Sequence, residues 1–351
     1  MERNTVSEQT GHDSTKLGTA MPKKGLHGDT GAGNSRAGAG RREFLKGAAA
    51  LAAGVVVTPA GKAENTVLLP SIPLGLHRVT RLIVGSNPIY GYSHFNRLYS
   101  KHMTEWFTDD RIVKFLMDCE RAGINTWQAS YNTQMPEQFP KIRGAGCNIQ
   151  WICLAAGWHL DEKFPNTAQG IADGMIKCAE AAARLKPIGI AHHGSATDRL
   201  FREGQLDMIR GFVDRVHGMG LLAGISTHNP AILEALEAKG WSHDFYMTSF
   251  HYQTRRAEEF KKEFGIAPVG EVYLDSDPPR MCSAIRKVEK PCLAYKILAA
   301  GRKCESPEEV RRAIEWAYKN IKPIDAAIVG MYPRFSNQIG DNTRTVREIL
   351  A

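Results

Sequence analysis

From Val79 onward, short apolar runs alternate with longer stretches whose apolar residues recur every three or four positions. The runs at 81–85, 126–129, 149–155, 188–191, 221–225, 245–249, 292–297 and 326–329 predict strands. Between them, the spacing predicts helices over 109–122, 167–185, 204–217, 231–239, 255–264, 306–319 and 342–350. The 306–319 helix has a marked start. Ser306 suits the cap, Pro307 the first turn, and Glu308 and Glu309 the positive end of the helix dipole. A helix near 135–143 is weakened by Pro136 and Pro140, and 269–279 reads as an extra strand with an acidic turn, a lid or edge loop. Strand and helix in regular alternation imply parallel strands joined by crossover helices. Eight such repeats within residues 79–351 predict an α/β fold of the (β/α)8 TIM-barrel type rather than an open sheet.

In such a barrel the chemistry belongs at the carboxyl ends of the strands. Those ends are polar here. Asn87 follows the first strand, Gln128 and Tyr131 the second, and Trp158 the third. His192 and His193 end the fourth, His228 the fifth, His251 and Tyr252 the sixth; Lys296 lies in the seventh and Tyr332 after the eighth. The candidates for catalysis are therefore His192, His193, His228, His251, Lys296 and Tyr131. Asn87, Gln128, Trp158, Tyr252 and Tyr332 are candidates for holding a substrate, the aromatic ones by stacking on a sugar face. His193, His228 and His251 come from successive strands, so three imidazoles meeting there would suit zinc or another divalent transition metal. Lys296 reads either as an electrostatic catalyst or Schiff-base nucleophile, or as half of an ion pair with Glu271 or Asp275.

Composition divides the chain. Residues 1–63 hold nine Lys or Arg and five Asp or Glu, half of the net +8, and the first forty carry few large apolar side chains. That opening predicts disorder. The remaining charge is spread through mixed-sign helices, a poor footprint for nucleic acid. None of the seven cysteines forms a C-x-x-C pair; Cys153 and Cys292 read as small buried apolar residues, and disulfide pairing stays open.

Arg41-Arg42-Glu43-Phe44-Leu45-Lys46, followed by the apolar run 47–57 and by Thr58-Pro59-Ala60, resembles a bacterial twin-arginine export signal. The resemblance implies recognition by the twin-arginine translocation machinery, cleavage after Ala60 or Ala63, no stable membrane anchor afterwards, and a periplasmic or extracellular mature protein. The domain division is then a disordered and signal segment at 1–63, a linker at 64–78, and one barrel domain at 79–351.

Three segments resemble the aldo-keto reductase superfamily: Ala122-Gly123-Ile124-Asn125-Thr126-Trp127, Gly224-Ile225-Ser226-Thr227-His228-Asn229-Pro230, and the tail 325–350. The likeness implies a barrel enzyme using NADP or NAD, with Ser336, Asn337, Gln338 and Asn342 at a phosphate of the cofactor. The family's Asp, Tyr and Lys positions hold Gln128, Thr133 and Leu154 or Ala155, and only its His has a counterpart, His192 or His193. The expectation is an exported oxidoreductase with altered acid/base residues, acting on a small carbonyl or carbohydrate. The alternatives are a metal- or histidine-dependent lyase, isomerase or hydrolase, and a non-catalytic sugar-binding barrel.

Overall fold

The computed structural model describes residues 67–351. The expected disordered segment, export signal and cleavage sites lie outside the described residues. The described chain begins with an antiparallel hairpin, β1 (Ser71–Leu74) and β2 (His77–Thr80), turned at Gly75 with a φ of +56°. The first barrel strands are β3 (Leu82–Gly85), β4 (Thr126–Ser130), β5 (Gln150–Ala155) and β6 (Gly189–His192). The circuit continues with β7 (Leu222–Thr227), β8 (Phe245–Ser249), β9 (Cys292–Tyr295) and β10 (Ala326–Gly330). All eight pair in parallel with their sequence neighbours, and β10 pairs with β3 to close the ring. Each of the eight predicted runs contains or overlaps one of these strands.

Helices cover the outside. In the first half these are α1 (Arg97–Trp106), α2 (Asp109–Arg121), α3 (Met135–Gly144), α4 (Ala168–Ala183), α5 (Gly194–Arg202) and α6 (Met208–Gly218). The second half has α7 (Pro230–Ala238), α8 (Ala257–Phe264), α9 (Asp277–Lys287), α10 (Pro307–Asn320) and α11 (Gln338–Leu350). The start of α10 is built as its sequence predicts, with the Ser306 hydroxyl accepting from the Glu309 amide at 3.2 Å. Three helices depart from expectation: α1, α5 and α9 fall in stretches without a long apolar period. Residues 269–276 form no strand, and the segment instead runs along the barrel rim.

The segment expected to be a linker contains β1 and the first half of β2. Ile72, Leu74 and Val79 of this hairpin join Ile83, Ile152 and Phe245 in the core inside the barrel. Asn125, in one of the segments that suggested a known family, fastens this plug. Its carboxamide oxygen accepts from the Thr80 amide and its Nδ2 donates to the Arg78 carbonyl, both at 2.9 Å. The hairpin thus fills the amino-terminal end of the barrel and leaves the other end open.

Leu74 is 1% exposed in this inner core. Leu74→Ala is expected to lower unfolding stability by about 2–5 kcal/mol, as cavity-forming changes in cores do. The urea midpoint measures it; a change within about 0.5 kcal/mol, the range of surface substitutions, would mean that the plug is not part of the cooperative unit.

Candidate active site

Successive side chains of a strand take opposite faces, and this decides which predicted residues meet. Ser130 lines a cavity at the carboxyl end of the barrel, and the next residue, Tyr131, turns behind the wall. His192 likewise faces outward, its Nδ1 2.8 Å from the Thr197 hydroxyl and its ring edge-on to Phe212 of α6. Burial pushes its pKa down to about 3, so it stays neutral and structural. Neither Tyr131 nor His192 belongs to the site. The cavity itself, about 760 Å³, is walled by Asn87, Gln128, Trp158, His193, His228 and Lys296, with Tyr332 at its edge.

His228 is held from behind. Its Nδ1 lies 3.0 Å from Oδ2 of Asp198, a carboxylate with no solvent exposure on α5. Asp198 also accepts from the His228 amide at 3.2 Å and from the hydroxyls of Thr227 and Thr254, each at 2.6 Å. With Nδ1–H directed at Asp198, the other ring nitrogen, Nε2, is left to the cavity as a proton acceptor. The fit is close. A methyl group on Gly194 would sit 2.8 Å from His228 Cε1, so only glycine lets α5 approach this ring.

His193 has the opposite polarity. It caps α5, and its Nδ1 accepts from the Ser195 amide at 3.2 Å, which leaves Nε2 as the N–H donor. Burial, then the closeness of other basic groups (His228, His159, His192 and Lys296), pushes its pKa well below the ordinary value. The ring therefore remains a neutral hydrogen-bond donor, with Trp158 edge-on at 4.6 Å.

Across the cavity, Lys296 immediately follows β9. Its Nζ lies 3.1 Å from Nε2 of His94, and the Nδ1 of that ring lies 2.8 Å from Glu271 on the rim segment. Asn87 Nδ2 lies 3.1 Å from the same Nε2. Both Lys296 and His94 have left-handed backbones, with φ of +60° and +58°. Side chains other than glycine seldom adopt this conformation, and it concentrates at functional positions. Burial brings the Lys296 pKa down to about 8, with Glu271 opposing and Arg302 adding to the fall. Burial also lowers the pKa of His94, although its hydrogen bond to Glu271 pulls the other way.

Several expectations fail here. His251 is buried outside the cavity wall, edge-on to Tyr273, with no hydrogen-bond partner on either ring nitrogen among the described residues, and burial lowers its pKa to about 4. Among the described residues no three His, Cys, Asp or Glu side chains converge as metal ligands, so His193, His228 and His251 do not form the expected zinc site. Tyr252 is turned away, its hydroxyl donating to Glu259 at 2.9 Å and its ring under the Arg255 guanidinium. In the expected phosphate loop, Asn337 Oδ1 accepts from the Gly340 amide and Gln338 Oε1 from the Tyr332 amide, while Asn342 is buried. Only Gln338 of these four reaches the cavity. Lys296 makes no ion pair with either expected acid, for Glu271 binds His94 and Asp275 binds Lys303 at 2.9 Å.

The residues that sequence reasoning passed over are His94, Asp198 and the Tyr92–His159 pair, whose hydroxyl and Nε2 are 2.9 Å apart at the cavity wall. Asp198 had one available sign, an acid set between Ala196, Thr197 and Leu200.

No protein-family model matches the chain, and no curated protein matches it in sequence. Solved structures similar to this barrel are aldo-keto reductases and other TIM-barrel enzymes. An aldo-keto reductase from Bacillus halodurans in holo form is 12% identical over 80% of this chain and 95% of its own, with a TM-score of 0.45. A glycerol dehydrogenase from Gluconobacter oxydans is 11% identical over 80% and 95%, with a TM-score of 0.40. An N-acetylmannosamine-6-phosphate 2-epimerase from Clostridium perfringens is 14% identical over 71% and 85%, with a TM-score of 0.38. These likenesses are of fold and say nothing of the reaction.

The lowered pKa of Lys296 has a consequence for stability. Below about pH 8 the amine is charged in both the folded and unfolded chain, and its burial is a constant penalty. Between about 8 and the ordinary 10.5 the unfolded chain binds more protons, so stability attributable to this group rises with pH. Lys296→Met is therefore expected to be more stable than the parent at pH 7, with the advantage shrinking toward pH 10.5. Urea midpoints across that range measure it; a difference independent of pH would show that Lys296 is not desolvated.

Proposed function

We propose that this barrel is an acid–base enzyme that moves a proton between carbon and oxygen in a small, hydroxyl-bearing carbonyl compound of carbohydrate type. One observation carries the reading: two histidines of opposite polarity share one cavity. His193 offers Nε2–H to the carbonyl oxygen, and a neutral imidazole in that role avoids leaving a strong acid beside the developing enolate. His228, aligned by Asp198, takes the proton from the adjacent carbon. Lys296 supplies positive charge to the oxygen from the opposite wall. Asn87 and Gln128 offer amides to substrate hydroxyls, and Trp158 a flat apolar face. The cavity volume of about 760 Å³ is of the size that takes small molecules. This assigns an isomerase or lyase class of reaction.

A second reading is a nicotinamide-linked oxidoreductase acting on the same class of substrate. It is favoured by the start of α11 opening beside this cavity, with Gln338 in its wall. NADP or NAD would supply hydride there. The residues of the loop meet a phosphate only in part, since Asn337 and Gln338 are engaged by the protein's own amides.

The two readings separate in one set of measurements. Dihydroxyacetone, glyceraldehyde and the common ketoses, incubated with the protein in deuterium oxide, are expected to exchange a carbon-bound proton next to the carbonyl, seen by NMR. His228→Asn is expected to slow that exchange by about 10²–10⁴-fold while keeping the thermal midpoint. No exchange, together with saturable binding of NADPH or NADH, would favour the oxidoreductase. Neither, with intact sugar binding, would leave a non-catalytic binding barrel.

We also propose that the enzyme works outside the cytoplasm, on the support of Arg41-Arg42 and the short apolar run that follows. Replacing both arginines by lysine is expected to retain the full-length chain in the cytoplasm of a bacterial host. Unchanged recovery outside would overturn the assignment.

A further inference from the structure

The acid–base reading uses Lys296 only as a charge, yet its surroundings suit a nucleophile. Among the described residues no carboxylate lies within 4 Å of its Nζ, although Lys303, seven residues on, has Asp275 at 2.9 Å. The hydrogen-bond partner of Nζ is a ring nitrogen, His94 Nε2, at 3.1 Å. A neighbour of this kind can take a proton from the ammonium instead of locking it in place. Glu271, on the far side of that ring, would stabilise the imidazolium so formed. One further positive group disfavours a second charge here. Arg302 is clamped between the faces of Phe95 and Tyr273, at 4.4 and 4.0 Å, and donates to the His94 carbonyl at 3.1 Å. The left-handed backbone at both Lys296 and His94 holds the two side chains in contact at the cost of strain, which ordinary packing would not require.

We propose that Lys296 forms an imine with the carbonyl carbon of the substrate. This rests on the acid–base reading for the class of substrate. The steps balance within the site. His94 Nε2 takes a proton from the Lys296 ammonium. The free amine attacks the carbonyl carbon, a C–N bond forms, and the C=O π pair moves to oxygen. A proton passes from nitrogen to that oxygen, giving a neutral carbinolamine. The His94 imidazolium then protonates the hydroxyl, which leaves as water while the nitrogen lone pair closes the C=N bond. The result is one iminium cation, one water and a neutral His94. The iminium withdraws electrons from the adjacent carbon more strongly than a hydrogen-bonded carbonyl does, so proton removal by His228 is eased.

The test is reductive trapping. The full-length protein is treated with dihydroxyacetone or glyceraldehyde and sodium cyanoborohydride at neutral pH, then mapped by peptide mass spectrometry. Lys101 and Lys114, each with a side chain 72% exposed, serve as internal references. The expected result is a reduced adduct on Lys296 at least about ten-fold above those lysines, because far more of the amine is neutral. The adduct is expected to vanish in a folded Lys296→Arg variant. Labelling of Lys296 no greater than of the references would overturn the imine. Deuterium exchange without the adduct would discard the imine and keep the acid–base reading. An adduct without exchange would do the reverse.

Discussion

Asp198 is buried completely and accepts from four donors: the Thr227 and Thr254 hydroxyls, the His228 amide and the His228 ring. A carboxylate removed from water is stable only when its lone pairs are met in this way. Its donors come from β7, the residue that follows β7 and the loop after β8, while the acid itself rides on α5. One group therefore fixes three neighbouring strand ends relative to each other. Loss of any donor would strand part of a buried charge, so the geometry behind His228 is strongly constrained. Gly194 completes the constraint by leaving room for the ring.

Three of the histidines lining the cavity present different groups to it, set by what binds the rest of each ring. His228 gives its proton to Asp198 and shows a bare nitrogen. His193 accepts a backbone amide and shows an N–H. His94 spans a carboxylate and an amine, and so can carry a proton between Lys296 and its own ring. The three side chains are identical; only the partner distinguishes them.

Strand ends were legible because each β-strand is a compact apolar run, and because the polar residue that follows must lie at the carboxyl face. His193 and His228 were found by that rule, and Lys296 as a lysine set inside an apolar run. The rule also admitted His192 and Tyr131, which adjoin cavity-lining residues in sequence but occupy the opposite face. A shift of one position separates a ring that lines the cavity from a packed one, and residue type does not reveal it. His251 was misplaced for a different reason: the segment after β8 carries it beneath Tyr273. Asp198 and His94 were invisible because their partners are thirty or more residues distant and their own segments have no clear period; Glu271 was noticed, but as a partner of Lys296 rather than of His94. The hairpin was hidden by brevity, each arm being four residues long.

That hairpin has a further effect. A barrel stoppered at one end is a vessel with a single mouth, so whatever enters must leave by the same route. In the proposed reaction, product has to depart before new substrate can arrive, and the two compete for one doorway. Tyr92 and His159 stand at that doorway, one ring laid over the other at 6.0 Å. The reaction proposed for this vessel would then depend on traffic at the rim as well as on the chemistry below it.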